Sequence, residues 1–305
     1  VTILYKSRSK SSELNTLEIL NYRMDLSNKN KQHYFNLKKG YEGEVIFDLL
    51  TERLDCDCLI LNDLLLEVNN TSFQIDSLLI IQGKIYFYEV KNYEGDFYYE
   101  ADRFYKKPKY EVVNPFTQLT RTESLLRQLL TSLGYSLQIN SFLVFIHPNF
   151  NLYQAPLNAP IIFPNQIKAY LNNLNSKPSK LTERHMELAA QLFSLHKNDS
   201  PYTQIPTYDY DRLRKGIICP QCQSFSMLVI KQKCICHNCE YQEPKSNAVL
   251  SSIREFQVLF PNEKISTNII YEWCKEMVSK KSIRRILSNH FETVGVRQWT
   301  YYKEK

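Results

Sequence analysis

Three apolar runs follow one another with little chain between them: LILNDLLLEV (59–68), SFQIDSLLII (72–81) and KIYFYEVKNY (84–93). Each is rich in Leu, Ile, Val, Phe and Tyr, and each is bounded by Asn, Gly or polar residues. That pattern predicts antiparallel hairpins, with DFYYEA (96–101) as a further strand. GEVIFDLLTERL (43–54), ahead of the strands, carries Val45, Ile46, Leu49, Leu50 and Leu54 at helical spacing. After them, the segment 114–134 reads as a helix from Pro115 to Gly134, and SFLVFI (141–146) as another strand. Helix, strands, helix and strand together make an α/β layered domain.

Charged residues interrupt these strands. Glu89 and Lys91 stand two apart in one run, so their side chains leave the same face. Asp76 lies thirteen residues before Glu89 in another apolar run. A hairpin turning near Gln82–Gly83 brings Asp76 and Glu89 onto neighbouring strands. Two converging carboxylates repel unless a cation lies between them, and hard oxygen ligands suit Mg²⁺ or Mn²⁺. A lysine beside them can orient a water or stabilise charge at a phosphate, which is the logic of phosphodiester cleavage. Taken alone, Glu89 and Lys91 also read as an exposed surface pair of little energetic weight.

Four short blocks add to this: GYEGE (40–44), QID (74–76), EVKNYEG (89–95) and NPFTQ (114–118). In order and spacing they resemble the signatures of the nuclease-related domain, over roughly residues 36–150. That domain is placed in the PD-(D/E)xK nuclease superfamily, which implies a restriction-endonuclease-like sheet flanked by helices. The resemblance further implies that Asp76 and Glu89 bind the metal and that Lys91 positions the attacking water. Glu44 matches an acidic position that contacts the metal directly or through water. Gln118 matches a later polar position near the substrate or Lys91. Ile75 stands where the superfamily's name has Pro, without removing a ligand. Read alone, Glu44 is a helix-start acid favoured by the dipole, and Gln118 an ordinary helical residue.

A second module is marked by cysteine. CPQC (219–222) and CHNC (236–239) are two Cys-x2-Cys pairs separated by thirteen residues, room for a β-hairpin between two knuckles. Cys219, Cys222, Cys236 and Cys239 are expected to hold a structural Zn²⁺ as a zinc ribbon. Cys234 offers an alternative partner for Cys236, and His237 offers a nitrogen, but Cys236 and Cys239 mirror the first pair. Cys56, Cys58 and Cys274 lack matching partners and read as packing residues.

The expected organisation is an N-terminal arm or helix (1–35), the nuclease-like domain (36–150), a helical extension (151–200), a linker (201–215), the zinc ribbon (216–245) and a basic helical module (246–305). The last carries ten Lys and Arg against six Asp and Glu. Its helix–turn–helix–strand pattern resembles a winged helix-turn-helix. Lys280, Lys281, Arg284 and Arg285 either enter a nucleic-acid groove or simply face solvent while Ile283, Ile286 and Leu287 pack inward. RFYKKPKY (103–110) reads as a solvated basic loop, yet beside an active site Arg103, Lys106, Lys107 and Lys109 among aromatics can track phosphates.

The net charge of +6 is compatible with nucleic acid. No apolar run reaches the ~20 residues of a membrane helix and no signal-peptide pattern is present, so a cytoplasmic, non-membrane protein is expected. No phosphate-cradling GxxxxGK[ST] is present either. Only seven glycines occur, and Gly40, Gly43 and Gly95 fall beside the charged blocks. The sequence reading is a metal-dependent nuclease acting on nucleic acid, DNA above all. The alternative is a catalytically weak or inactive nucleic-acid-binding or scaffolding protein that keeps the nuclease fold.

Overall fold

A computed structural model describes residues 1–199 and 202–305; Ser200 and Pro201, where the expected helical extension meets the expected linker, lie outside the described residues. In chain order the elements are β1 (Thr2–Lys6), α1 (Ser12–Arg23), α2 (Asn28–Thr51), β2 (Cys58–Val68), β3 (Thr71–Ile81), β4 (Lys84–Lys91), β5 (Gly95–Glu100), β6 (Arg103–Lys106) and β7 (Tyr110–Val112). Next come α3 (Pro115–Ser132), β8 (Gln138–Phe145), β9 (Phe150–Tyr153), β10 (Ile161–Ile162), α4 (Ile167–Asn175) and α5 (Glu183–Ser194). The rest are β11 (Met227–Ile230), β12 (Lys233–Cys236), β13 (Gln242–Pro244), α6 (Lys245–Leu259), α7 (Thr267–Trp273), α8 (Lys280–His290), β14 (Glu292–Val294) and β15 (Tyr301–Lys303). They form two compact units, Val1–Ser11 with Phe35–Tyr202, and Ser12–Tyr34 with Thr203–Lys305.

The first unit is built on a six-stranded mixed sheet in the order β1-β2-β3-β4-β8-β10. The expected hairpins β2–β3 and β3–β4 are present and antiparallel, while β8 joins β4 in parallel after the α3 crossover. Both faces are apolar, so both need a cover. Leu78, Ile80 and Phe87 pack with Leu126 of α3 and Leu192 of α5. Leu79, Ile81 and Tyr88 pack with Phe47 of α2 and Leu171 of α4. The unit is therefore a mixed α/β layered body, with helices on both sides of the sheet.

Two local expectations are corrected. The DFYYEA run does not extend the main sheet: Gly95, at φ +99°, turns the chain away, and β5 enters a second sheet ordered β7-β6-β5-β9. The RFYKKPKY run is accordingly not a free loop but supplies β6 and the start of β7, paired antiparallel. The first helix is also longer than expected, and it buries a different face. Ile46 and Leu49 are exposed, whereas Phe47, Asp48 and Thr51 are buried. The inward face is set by close approach at Gly43, where an added Cβ would stand 2.5 Å from the Asn92 Cβ. Asn92 in turn donates to the Lys39 carbonyl at 2.8 Å, clamping α2 to the end of β4.

The second unit has its own core. Trp273, Phe256, Ile253, Ile283 and Leu287 from α6, α7 and α8 pack with Leu20 of α1. Tyr208, Tyr210 and Leu213, within the segment expected as a linker, pack against the same cluster. Arg23 is fully buried there: it pairs with Glu255, donates to the carbonyls of Arg214 and Gly216, and lies 4.1 Å from the Trp273 ring centre. No helix among the described residues is long and apolar enough to cross a membrane.

The Gly43 contact yields a direct test. Asn92 Cβ is fixed to its backbone and cannot give way, so Gly43→Ala is expected to cost about 1–3 kcal/mol through overpacking. Thermal melts beside an exposed control such as Leu49→Ala measure it.

Candidate functional site

The β3–β4 ladder ends at Ser77 opposite Tyr88, which leaves Asp76 and Glu89 as the next facing pair, where strand pairing stops. Both are buried, at 6% and 2% exposure, although both are acids. The Val90 amide donates to Asp76 Oδ2 at 2.7 Å. Lys91 donates to Glu89 Oε1 at 2.6 Å and to Gln118 Oε1 of α3 at 3.0 Å. Glu44 comes in from α2, and these five residues line a common cavity of ≈ 590 Å³ that also reaches Lys106 and Tyr110. The structure thus brings together Glu44, Asp76, Glu89, Lys91 and Gln118, which span 75 positions of sequence.

Glu44 is engaged by an arginine. Its Oε2 accepts from Arg8 Nη1 at 2.6 Å, and Arg8 also grips both oxygens of Asp48, at 2.8 and 3.1 Å. Among the described residues, no three carboxylates place ligand atoms within 4.8 Å of one another. Asp76 and Glu89, facing each other where the ladder ends, each keep one carboxylate oxygen outside the hydrogen bonds described above and could hold a cation. A divalent ion fits this donor set: two buried hard oxygens face each other with only one ammonium beside them.

The electrostatics agree. Burial, and then the charge of Asp76, push Glu89 up to about 7 despite Lys91. Burial and Asp76 push Glu44 up to about 8 against the pull of Arg8. Burial also raises Asp76, partly offset by Lys91 and the Val90 amide. Burial works to lower Lys91, but Glu89 and Asp76 outweigh it and hold the group above the usual lysine range. Lys91 therefore stays an ammonium near neutral pH, suited to orienting and neutralising rather than accepting a proton.

The expected phosphate-tracking residues are only partly gathered. Lys106 lines the cavity. Arg103 faces Glu111 at 3.5 Å, Lys107 lies over the Tyr153 ring at 3.6 Å, and Lys109 is exposed on the hairpin. In the other unit, Lys280, Lys281, Arg284 and Arg285 are all exposed on α8, while Ile283, Ile286 and Leu287 are buried. Three site residues were missed from the sequence. Asp48 carried a signal, lying one helical turn after Glu44 on the same face. Lys39, which lines the cavity and pairs with Glu94 at 2.9 Å, lay beside a noted glycine. Arg8 carried none: a single arginine in a polar segment, 36 residues from Glu44.

The four cysteines converge. Sγ atoms of Cys219, Cys222, Cys236 and Cys239 all lie within 4.8 Å of one another. The two knuckles match: Gln223 and Glu240, each just after a Cys pair, both have φ 59°, and their amides donate back to Cys219 and Cys236. The chain between them forms β11 and β12, with β13 completing an antiparallel sheet. Hydrogen bonds from the Ser224 side chain lower Cys222 and Cys236, favouring the thiolate at these two, whereas burial raises Cys219 and, against the pull of the Tyr241 amide, burial and the neighbouring thiols raise Cys239. Cys234 is buried in the unit's core, and His237 is not part of the cluster. Four thiolates in this arrangement can hold a tetrahedral Zn²⁺ with no open position, as in a zinc ribbon.

Residues 39–146 match the family model described as nuclease-related domain. The match includes Glu44, Asp76, Glu89, Lys91 and Gln118, and excludes Arg8 and the cysteine cluster. No curated protein and no solved structure matches the chain.

Two outcomes are expected. Cys222→Ser and Cys239→Ser should each reduce bound zinc and lower the melting temperature, read by colorimetric metal release and circular dichroism. The second concerns pH. Glu89 and Glu44 are raised from 4.5 to about 7 and about 8, so the native state keeps protons that the unfolded chain gives up. Stability should therefore fall as pH rises through that window in zinc-loaded protein without Mg²⁺ or Mn²⁺. Glu89→Gln cannot ionise, and should match wild type near pH 5 but melt above it near pH 8.

Proposed function

We propose that the first unit is a metal-dependent nuclease that hydrolyses phosphodiester bonds, with DNA as the substrate class. The observation that carries this reading is the end of the β3–β4 hairpin. Two buried carboxylates face each other there, with an ammonium fixed between one of them and a glutamine, inside an open cavity. A purely structural sheet end would gain stability from apolar residues in these positions, because buried charges are costly unless they serve something.

Asp76 and Glu89 would hold Mg²⁺ or Mn²⁺, which supplies Lewis-acid polarisation of the scissile phosphate when bound. Lys91 has two fixed partners, so its ammonium is aimed rather than mobile. It orients the attacking water and neutralises the negative charge that builds on the phosphorus oxygens. Gln118 holds Lys91 in that position from α3 and lines the cavity. Lys106 and Tyr110, on the cavity wall, suit a phosphate and a base or sugar of the incoming strand.

The second unit supports nucleic-acid binding. Its α6, the bridge of Ile265 to Tyr302, α7, α8 and the β14–β15 hairpin follow in the order of a winged helix. Exposed Lys280, Lys281, Arg284 and Arg285 on α8 would contact phosphates, giving affinity more than sequence choice. The zinc ribbon is the staple of this unit.

The test is cleavage of labelled single- and double-stranded DNA with Mg²⁺ or Mn²⁺ and without either. Asp76→Ala and Lys91→Ala should each lower the rate by at least about 10²-fold while the fold and zinc content persist. Cleavage that survives both variants, or that ignores the added ion, would show that the activity lies elsewhere.

A further inference from the structure

Arg8 sits among Glu44, Asp48 and the Asp76 backbone. It follows β1, which pairs in parallel with β2, and its position is fixed from behind. Lys6 is buried and donates to the carbonyls of Asn62 and Asp63, both at 2.8 Å, which pins the chain two residues before Arg8. The Arg8 side chain is only 4% exposed. Its guanidinium makes four bonds: one to Glu44, two to Asp48 and one, at 2.5 Å, to the Asp76 carbonyl oxygen. The fork to Asp48 and the bond to Glu44 are charge-assisted and geometrically matched, the strongest kind such groups make.

We propose that Arg8 is a built-in counter-cation that limits the catalytic site to a single divalent ion, held by Asp76 and Glu89, and makes Glu44 a positioning residue for Arg8 rather than a metal ligand. This rests on the reading of Asp76 and Glu89 as a metal pair. Two-metal sites place their ions roughly 3.5–4 Å apart and need carboxylates for both. Here Glu44 and Asp48 are already engaged by Arg8. A second dication would have to displace a buried guanidinium or stand against it. The ion pairs agree: Arg8 is committed to Glu44 and Asp48, and Lys91 to Glu89. The resemblance to the nuclease-related domain implied metal contact for Glu44; the Arg8 contact replaces that role in this chain.

The test counts ions rather than turnover. Zinc-loaded full chain is titrated with Mn²⁺, and bound ions are counted from the free-Mn²⁺ paramagnetic resonance signal and by calorimetry. Wild type should bind one ion, Asp76→Ala none, and Arg8→Gln two, because Glu44 and Asp48 are then released. Arg8→Lys keeps the charge and should stay at one. Folding of each variant is checked by circular dichroism. Two ions on wild type, or one on folded Arg8→Gln, overturn the role of Arg8 while leaving the Asp76–Glu89 site standing. If wild type binds no Mn²⁺, the metal reading itself falls, and this inference falls with it. Where Arg8→Gln does not fold, the wild-type count still decides between one ion and two.

Discussion

The structure of the first unit turns on an electrostatic constraint: Glu44, Asp48, Asp76 and Glu89 meet at one end of a buried sheet, where Arg8 and Lys91 pair with three of them. An arrangement of this kind is costly in a low-dielectric interior. The surrounding structure is organised around managing that cost. The Val90 amide satisfies one oxygen of Asp76, Lys91 one oxygen of Glu89, and Arg8 spans Glu44 and Asp48. What is left over lies between Asp76 and Glu89, where the strands stop pairing and the cavity opens. The sheet itself supplies the rigidity. Buried on both faces and held by α2, α3, α4 and α5, it leaves these side chains little freedom to relax apart.

Much of this was legible in the sequence, for identifiable reasons. The hairpins β2–β3 and β3–β4 follow from apolar runs with short polar breaks, and their register brings Asp76 opposite Glu89. The convergence of the four cysteines follows from their spacing, because two Cys-x2-Cys turns have few other uses. What was not legible depends on long-range geometry. DFYYEA has the composition of a sheet strand, and nothing local says that Gly95 will turn it into a second sheet. The α2 helix carries two competing apolar faces, and the choice between them is made by Gly43 against Asn92, far along the chain. Arg8 is the extreme case, since its role exists only once β1 has docked beside β2.

The two units manage buried charge and small cores in different ways. In the second unit a buried arginine, Arg23, ties α1 to Glu255 of α6 and to the carbonyls of Arg214 and Gly216, with Trp273 beneath its plane. Removing one partner of such a pair would leave an uncompensated buried charge, so the contact favours one arrangement of these elements over others. The cysteine cluster does the equivalent for the short strands β11 to β13, which have little apolar area of their own. The match to the nuclease-related domain lies wholly within the first unit, and the basic α8 of the second is understood from exposure and charge alone.

The central claim is that Asp76 and Glu89 form a divalent-metal site. It is tested most directly by the anomalous diffraction of Mn²⁺ in crystals of the zinc-loaded protein. The account predicts a manganese peak between the two carboxylates, with oxygen distances near those of Mg²⁺ sites, about 2.1 Å. Lys91 should remain bonded to Glu89 and Gln118 beside it. Manganese bound elsewhere, with Asp76 and Glu89 unligated at saturating ion, would contradict the account and return these residues to a structural role.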